Sequence, residues 1–100
     1  GAQTKVLHFV EGLRIIKDDL FATPPLFAAI AQMSGTDWKE MYKVFNMGHR
    51  LEFYVAAAQA QEIIDISKSF NIEAKVIGRV EAGSTKEVVL TSPNGTFIYH

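Results

Sequence analysis

The sequence predicts an α+β domain, with helices packed on a mixed, largely antiparallel sheet, and three observations carry the prediction. Apolar residues recur at helical spacing over 24–34, 37–45 and 57–70, each behind or before a recognisable stop or start. Leu13-Arg14-Ile15-Ile16-Lys17 and the runs after Ala74 have strand character. Helices and strands do not alternate regularly: the expected order is α-β-α-α-β-α-β-β-β, with the last strands grouped together.

Taken in order, Thr4 can cap a short helix whose apolar residues Val6, Leu7, Phe9 and Val10 cover one side, with Gly12 as its stop. The strand over 13–17 follows. Asp18-Asp19 and Pro24-Pro25 bracket a connection, and Thr23 before two prolines marks a helix start, because proline loses nothing at the first helical position. Leu26, Phe27, Ile30 and Met33 follow at helical spacing up to Ser34-Gly35. Asp37-x-x-Glu40 has the form of a capping box, and the helix it opens carries Trp38, Met41, Tyr42 and Phe45 along one stripe.

Leu51, Phe53 and Val55 then alternate with Arg50, Glu52 and Tyr54, the pattern of a half-buried strand. A helix over 57–70 turns Ala60, Ile63, Ile64 and Ser67 inward and stops at a left-handed Asn71. Strands are expected over 74–80 and 86–91, and Ser92-Pro93-Asn94-Gly95 turns the chain into a last strand over 96–99. The segment from Leu51 to Val80 reads as one strand-helix-strand crossover, and the last three strands as a meander. No repeat, low-complexity tract or linker interrupts the chain, so residues 1–100 are expected to form a single domain.

Composition narrows the function classes. Ten Lys and Arg against eleven Asp and Glu leave a net charge of −1, with no electrostatic footprint for nucleic acid or an acidic membrane surface. With no cysteine, disulfides, thiolate metal sites and cysteine nucleophiles are excluded. No apolar run approaches the ~18–20 residues that cross a bilayer. The chain opens at Gly1-Ala2-Gln3 without a methionine, as expected of an internal fragment or of a residue left by a tag.

The candidate site is Asn46-Met47-Gly48-His49-Arg50, where a helical run stops and an alternating run begins. Asn tolerates left-handed backbone angles and Gly lacks a Cβ, so Asn46 and Gly48 permit a sharp corner, while His49 and Arg50 can donate to an anion. Two readings stand: a ligand-facing, phosphate-binding loop, or a helix stop followed by two exposed polar residues. His8 reads as a boundary histidine, and no histidine pair has metal-ligand spacing. Asp18-Asp19 could hold Mg²⁺, but paired Asp in a connection is more often a solvated turn. Trp38, Tyr42 and Phe45 read as core rather than as an aromatic platform. No glycine-rich phosphate loop and no nucleophile elbow is present, so no catalytic residue is assigned.

Three segments in order, Pro24-Pro25-Leu26-Phe27, then Glu40-Met41-Tyr42-Lys43-Val44-Phe45-Asn46-Met47-Gly48, then Ala74-Lys75-Val76-Ile77-Gly78-Arg79-Val80, resemble the carboxy-terminal domain of the phosphoribosylformylglycinamidine cyclo-ligase (aminoimidazole ribonucleotide synthetase) family. The resemblance covers roughly Val6 to Gly83 and implies a truncated carboxy-terminal domain of that superfamily. It implies a cytoplasmic purine-biosynthetic enzyme, a homodimer in its intact form, that closes the imidazole ring of formylglycinamidine ribonucleotide. The formyl amide oxygen is activated by phosphoryl transfer from ATP and a neighbouring nitrogen displaces the phosphate. Positioning and charge neutralisation supply most of the rate in such a reaction. ATP and Mg²⁺ would be held chiefly by a missing amino-terminal domain, and no cofactor is expected on the present chain. Onto this chain the resemblance carries substrate contact at Asn46, Met47 and Gly48.

One departure stands out. The family continues Phe-Asn-Met-Gly with Ile-Gly-Met, whereas this chain has His49-Arg50-Leu51. An Arg at a corner removes permissive backbone angles and adds a forked, charged donor. The alternatives to the cyclo-ligase are therefore a catalytically idle relative serving as a binding module, and a sister ATP-dependent kinase or synthetase.

Overall fold

The computed structural model describes residues 3–100. After a one-turn 3₁₀ segment at Lys5–His8 come β1 (Leu13–Lys17), α1 (Pro25–Ser34), α2 (Trp38–Val44), α3 (Ala57–Ser69), β2 (Gly78–Ala82), β3 (Glu87–Ser92) and β4 (Gly95–Tyr99). The four strands form one mixed sheet in the order β2-β1-β3-β4. β1 runs antiparallel to β2 and parallel to β3, and β3 runs antiparallel to β4. The α+β class and the mixed sheet are as expected.

Local signals act where the sequence puts them at α1, α2 and α3, but Thr4 makes no side-chain capping bond and the 3₁₀ segment it precedes ends at His8, short of Gly12. Pro25 occupies the first helical position of α1, and Gly35 ends it at φ 69°. Asp37 caps α2, its side chain accepting from the Glu40 amide at 2.9 Å. α3 turns Ala60, Ile63, Ile64 and Ser67 to its half-buried side. It closes on Asn71 at φ 59°, with Ile72 N–H donating to the Ser67 carbonyl and Asn71 N–H to the Lys68 carbonyl. These are the two bonds of a Schellman stop. Pro93-Asn94 is the tight loop between the paired Ser92 and Gly95.

The register puts Leu13, Ile15 and Lys17 on one sheet face with Val80, Val88, Leu90, Phe97 and Tyr99. That face meets the helices, and the core gathers Leu7, Ile15, Ala31, Met41, Tyr42, Met47, Val88, Leu90 and Tyr99. α2 is pinned to the sheet by polar tips as well as by apolar bulk. Tyr99 OH donates to the Lys39 carbonyl at 2.6 Å, and Asn94 Nδ2 donates to Tyr42 OH at 3.2 Å. Burial above all pushes the Tyr99 hydroxyl up to about 12. On the opposite face Arg14 Nε lies 2.7 Å from Glu87 Oε1 as an ion pair but is not aligned for a hydrogen bond.

Several expectations are corrected. The segment 51–55 is not a strand: Leu51, Phe53 and Val55 lie exposed, and the inward residue is Glu52, drawn to an ammonium on β1. The expected crossover from Leu51 to Val80 is thereby lost, and the parallel pair is β1 with β3 instead. The last three strands do not form a meander, because β1 inserts between β2 and β3; only β3 and β4 form a hairpin. The ladder of β2 begins at Gly78 rather than at 74. There the two backbones come so close that a Cβ on Gly78 would collide with the Ile16 carbonyl oxygen. On α1 the inward side is Phe27, Ile30 and Ala31, with Leu26 and Met33 outside it. The 3₁₀ segment is too short to bury a full stripe, so Leu7 is buried and Phe9 is exposed.

Candidate functional site

The corner that follows α2 is built from its backbone outward. The helix closes at Phe45, which is extended (φ −106°, ψ 149°) and whose N–H returns to the Met41 carbonyl at 2.9 Å. The next four residues turn sharply, with His49 N–H donating to the Asn46 carbonyl at 3.1 Å. Both central residues are left-handed, Met47 at φ 56° and Gly48 at φ 91°, the signature of a type I′ turn. Asn46 itself is not left-handed, contrary to expectation. It contributes its side chain, whose Oδ1 accepts from the Gly48 N–H at 3.0 Å.

A left-handed methionine costs about 1–2 kcal/mol in backbone energy. Its side chain is 1% exposed within the core, and full burial of such a side chain is worth ~1.5–3 kcal/mol, which offsets the strain. Met47 thus locks the turn from inside and can offer a ligand only its backbone. Gly48 is required twice, for its φ and because a Cβ there would stand 2.8 Å from Pro24 Cγ. The Pro24-Pro25 element and the Asn46–Gly48 element, separate in sequence, therefore touch.

Beneath the turn lies a network that the sequence reading missed. Lys17, 2% exposed at the end of β1, donates from Nζ to the Gln3 carbonyl (2.9 Å), Gln3 Oε1 (3.0 Å) and both oxygens of Glu52 (3.1 and 3.0 Å). Gln3, equally buried, passes its Nε2 to the Asn46 carbonyl at 3.0 Å and to His49 Nδ1 at 2.9 Å. Tyr54 OH donates to Glu52 Oε2 at 3.1 Å. Desolvation pulls the Lys17 ammonium below the usual lysine range, with the Glu52 carboxylate opposing it. Burial first and Glu52 next push the Tyr54 hydroxyl upward. The available signal was the i, i+2 pattern Leu13, Ile15, Lys17: a lysine on the core face of a strand demands a buried acceptor.

His49 is folded inward against Phe21, ring centroids 5.4 Å apart, and its Nε2 receives the Phe21 N–H at 3.2 Å. A neutral imidazole keeps one N–H, so it accepts from one of these two donors only, Gln3 Nε2 at Nδ1 or the Phe21 N–H at Nε2, and a second ring proton would leave it unable to accept from either. Burial pulls its pKa below the ordinary value, and the Lys17 and Lys75 charges add to this against the opposing Glu52. Arg50 is exposed and makes no ion pair among the described residues. The structure therefore brings Asn46, Gly48 and Arg50 to the surface of one corner and turns Met47 and His49 into it. Lys75 adds a nearby cation, its Nζ 5.0 Å from the Phe21 ring centroid and donating to the Leu20 carbonyl.

The described residues do not fit a Mg²⁺ site. Asp18 pairs with Arg79 at 2.9 Å and Asp19 with Lys75 at 3.2 Å, so both carboxylates are already matched to cations. Among the described residues no group of three or more His, Cys, Asp or Glu is placed to hold a metal ion. No helix among them is long and apolar enough to cross a membrane.

Relatives carry the same segment. The chain is 34% identical over 83 residues to a phosphoribosylformylglycinamidine cyclo-ligase of Methanopyrus kandleri, covering 83% of this chain and 24% of that protein. It is 37% identical over 84 residues to the enzyme of the same name in Methanococcus vannielii, covering 78% and 24%. To that of Staphylococcus carnosus it is 34% identical over 71 residues, covering 71% and 21%. The chain thus spans about a quarter of the length of these relatives. Residues 10–91 match the family described as AIR synthase related protein, C-terminal domain, and with most of its length accounted for in this way the chain belongs to that family.

Proposed function

We propose that this chain is the carboxy-terminal part of an ATP-dependent phosphoribosylformylglycinamidine cyclo-ligase, and that the corner Asn46–Arg50 contacts the ribose phosphate of formylglycinamidine ribonucleotide. The observation that carries the reading is the corner's geometry: a strained, buried Met47 holds a type I′ turn that presents Asn46, Gly48 and the exposed Arg50 outward. Strained non-glycine residues concentrate at ligand-binding positions. An exposed Arg guanidinium matches phosphate with two parallel, charge-assisted hydrogen bonds.

On this reading the residues described here bind and orient; they do not transfer protons or form covalent bonds with substrate. ATP and Mg²⁺ are handled by the remainder of the parent, a cytoplasmic homodimer, in keeping with the ion-paired state of Asp18 and Asp19. The chain by itself does not turn over ATP. The test is substrate affinity of the full-length parent carrying Arg50→Ala. A loss of ~1.5–3 kcal/mol is expected for a charged hydrogen bond, and unchanged affinity would remove the phosphate role.

The His49-Arg50 departure favours a second reading, a relative that keeps the fold and binds a phosphorylated ligand without turnover. Product formation by the intact parent separates the two.

A further inference from the structure

We propose that Lys17 is a positioning residue for the corner, acting through Gln3 to fix the Asn46 carbonyl and the His49 ring. The inference rests on the phosphate-binding reading of Asn46–Arg50.

The ammonium has three N–H bonds and uses all of them: one to the Gln3 carbonyl, one to Gln3 Oε1 and one shared by the Glu52 carboxylate. Because Oε1 of Gln3 receives a donor from Lys17, the amide cannot flip, and its NH₂ must face the corner. One of its hydrogens goes to the Asn46 carbonyl and the other is aimed at His49 Nδ1, which accepts it in the tautomer that carries its proton on Nε2. The Asn46 carbonyl is also the acceptor that closes the turn. A single buried charge on β1 thus orients a second donor onto the carbonyl that closes the turn, 29 residues along the chain.

Stability alone does not account for this arrangement. A buried ion pair regains little over an apolar pair of the same volume, since the desolvation of both ions opposes their attraction. What such a pair supplies is direction. Lys17, Gln3 and Glu52 come from β1, the segment before the 3₁₀ turn and the loop after the corner, so the network joins three separate pieces of chain. Lys17 and Gln3 are buried and the Glu52 side chain nearly so, whereas Arg50 is exposed. Lys17 therefore acts on a ligand only through the groups it orients.

The experiment uses the full-length parent with ribose 5-phosphate as probe and compares wild type, Arg50→Ala, Gln3→Ala and Lys17→Met/Glu52→Gln. The paired substitution removes both charges together, so the fold is retained, as melting temperature verifies. The expected result is a loss of affinity of about tenfold or more in Arg50→Ala, Gln3→Ala and the paired variant. In the last two, the ¹⁵N signals of His49 also change as its Nδ1 loses a fixed donor, a readout that loss of packing alone would not move. Affinity lost in Arg50→Ala but retained in both network variants overturns the positioning role and leaves the phosphate reading standing. No binding by wild type, or none lost in Arg50→Ala, overturns both.

Discussion

Replacing Gly48 by alanine isolates the demand that the corner makes on its sequence. Two effects act at this position. The backbone sits at φ 91°, where an L side chain is disfavoured by about 1–2 kcal/mol. The new Cβ would also stand 2.8 Å from Pro24 Cγ and 3.2 Å from Pro24 Cδ. A proline ring cannot swing aside as the end of a long side chain can, and overpacking of this kind costs ~1–3 kcal/mol. Gly35 supplies the control. It is left-handed at φ 69°, but nothing lies within 4 Å of where its Cβ would be. The gain from restricting the unfolded chain, ~0.4–1 kcal/mol, is common to both substitutions. The difference between Gly48→Ala and Gly35→Ala therefore reads the Pro24 contact, at about 1–3 kcal/mol. At a chain length of 100 residues each kcal/mol moves the melting temperature by ~4–8 °C, so the two variants should separate clearly by thermal unfolding. Equal losses in both would refute the close approach of Pro24 to the corner.

Further expectations concern the network and its surroundings. Lys17→Met alone strands the Glu52 carboxylate and should cost near the lower end of ~3–5 kcal/mol, because Glu52 keeps 19% exposure. Adding Glu52→Gln should recover most of it, as denaturant midpoints in a double-mutant cycle would show. His49 has its pKa lowered from 6.5, so the unfolded chain holds more protons between that value and the folded one. Its contribution is intact above 6.5 and is lost as pH falls through the folded pKa, and His49→Asn should flatten this slope in pH-dependent melting between neutrality and the onset of carboxylate titration. Tyr99→Phe removes the 2.6 Å bond to the Lys39 carbonyl, and a loss of ~0.5–1.5 kcal/mol in urea unfolding is expected, with an unchanged midpoint arguing against that anchor of α2.

Much of the local structure was legible because its causes lie within a few residues of chain. Asp37 caps α2 through an amide three residues on, Asn71 closes α3 through carbonyls three and four residues before itself, and the half-buried side of α3 follows directly from helical spacing. The family resemblance, and the position of the corner after α2, were legible for the same reason: they are contiguous motifs. The helix-to-strand reading of the corner failed because alternation of apolar residues over 51–55 is only half of what makes a strand. Pairing partners are the other half, and β1 had already been taken on both edges by β2 and β3.

The tertiary structure alone decided which residues face inward at the site. Glu52 turns in, against the alternation of its neighbours, because a buried ammonium at Lys17 needs a counter-charge more than the exposed Leu51 and Phe53 need cover. That ammonium lies 35 residues earlier in the chain, a separation at which sequence spacing carries no signal about contact. Met47 is left-handed for a related reason, since burial of its side chain in the core outweighs a backbone angle that its residue type disfavours locally. The sequence by itself determined where helices start and stop and that a corner follows α2. The strand order, the buried charge and the face that the corner presents were set by contacts between distant segments, where burial and charge pairing outweigh local preference.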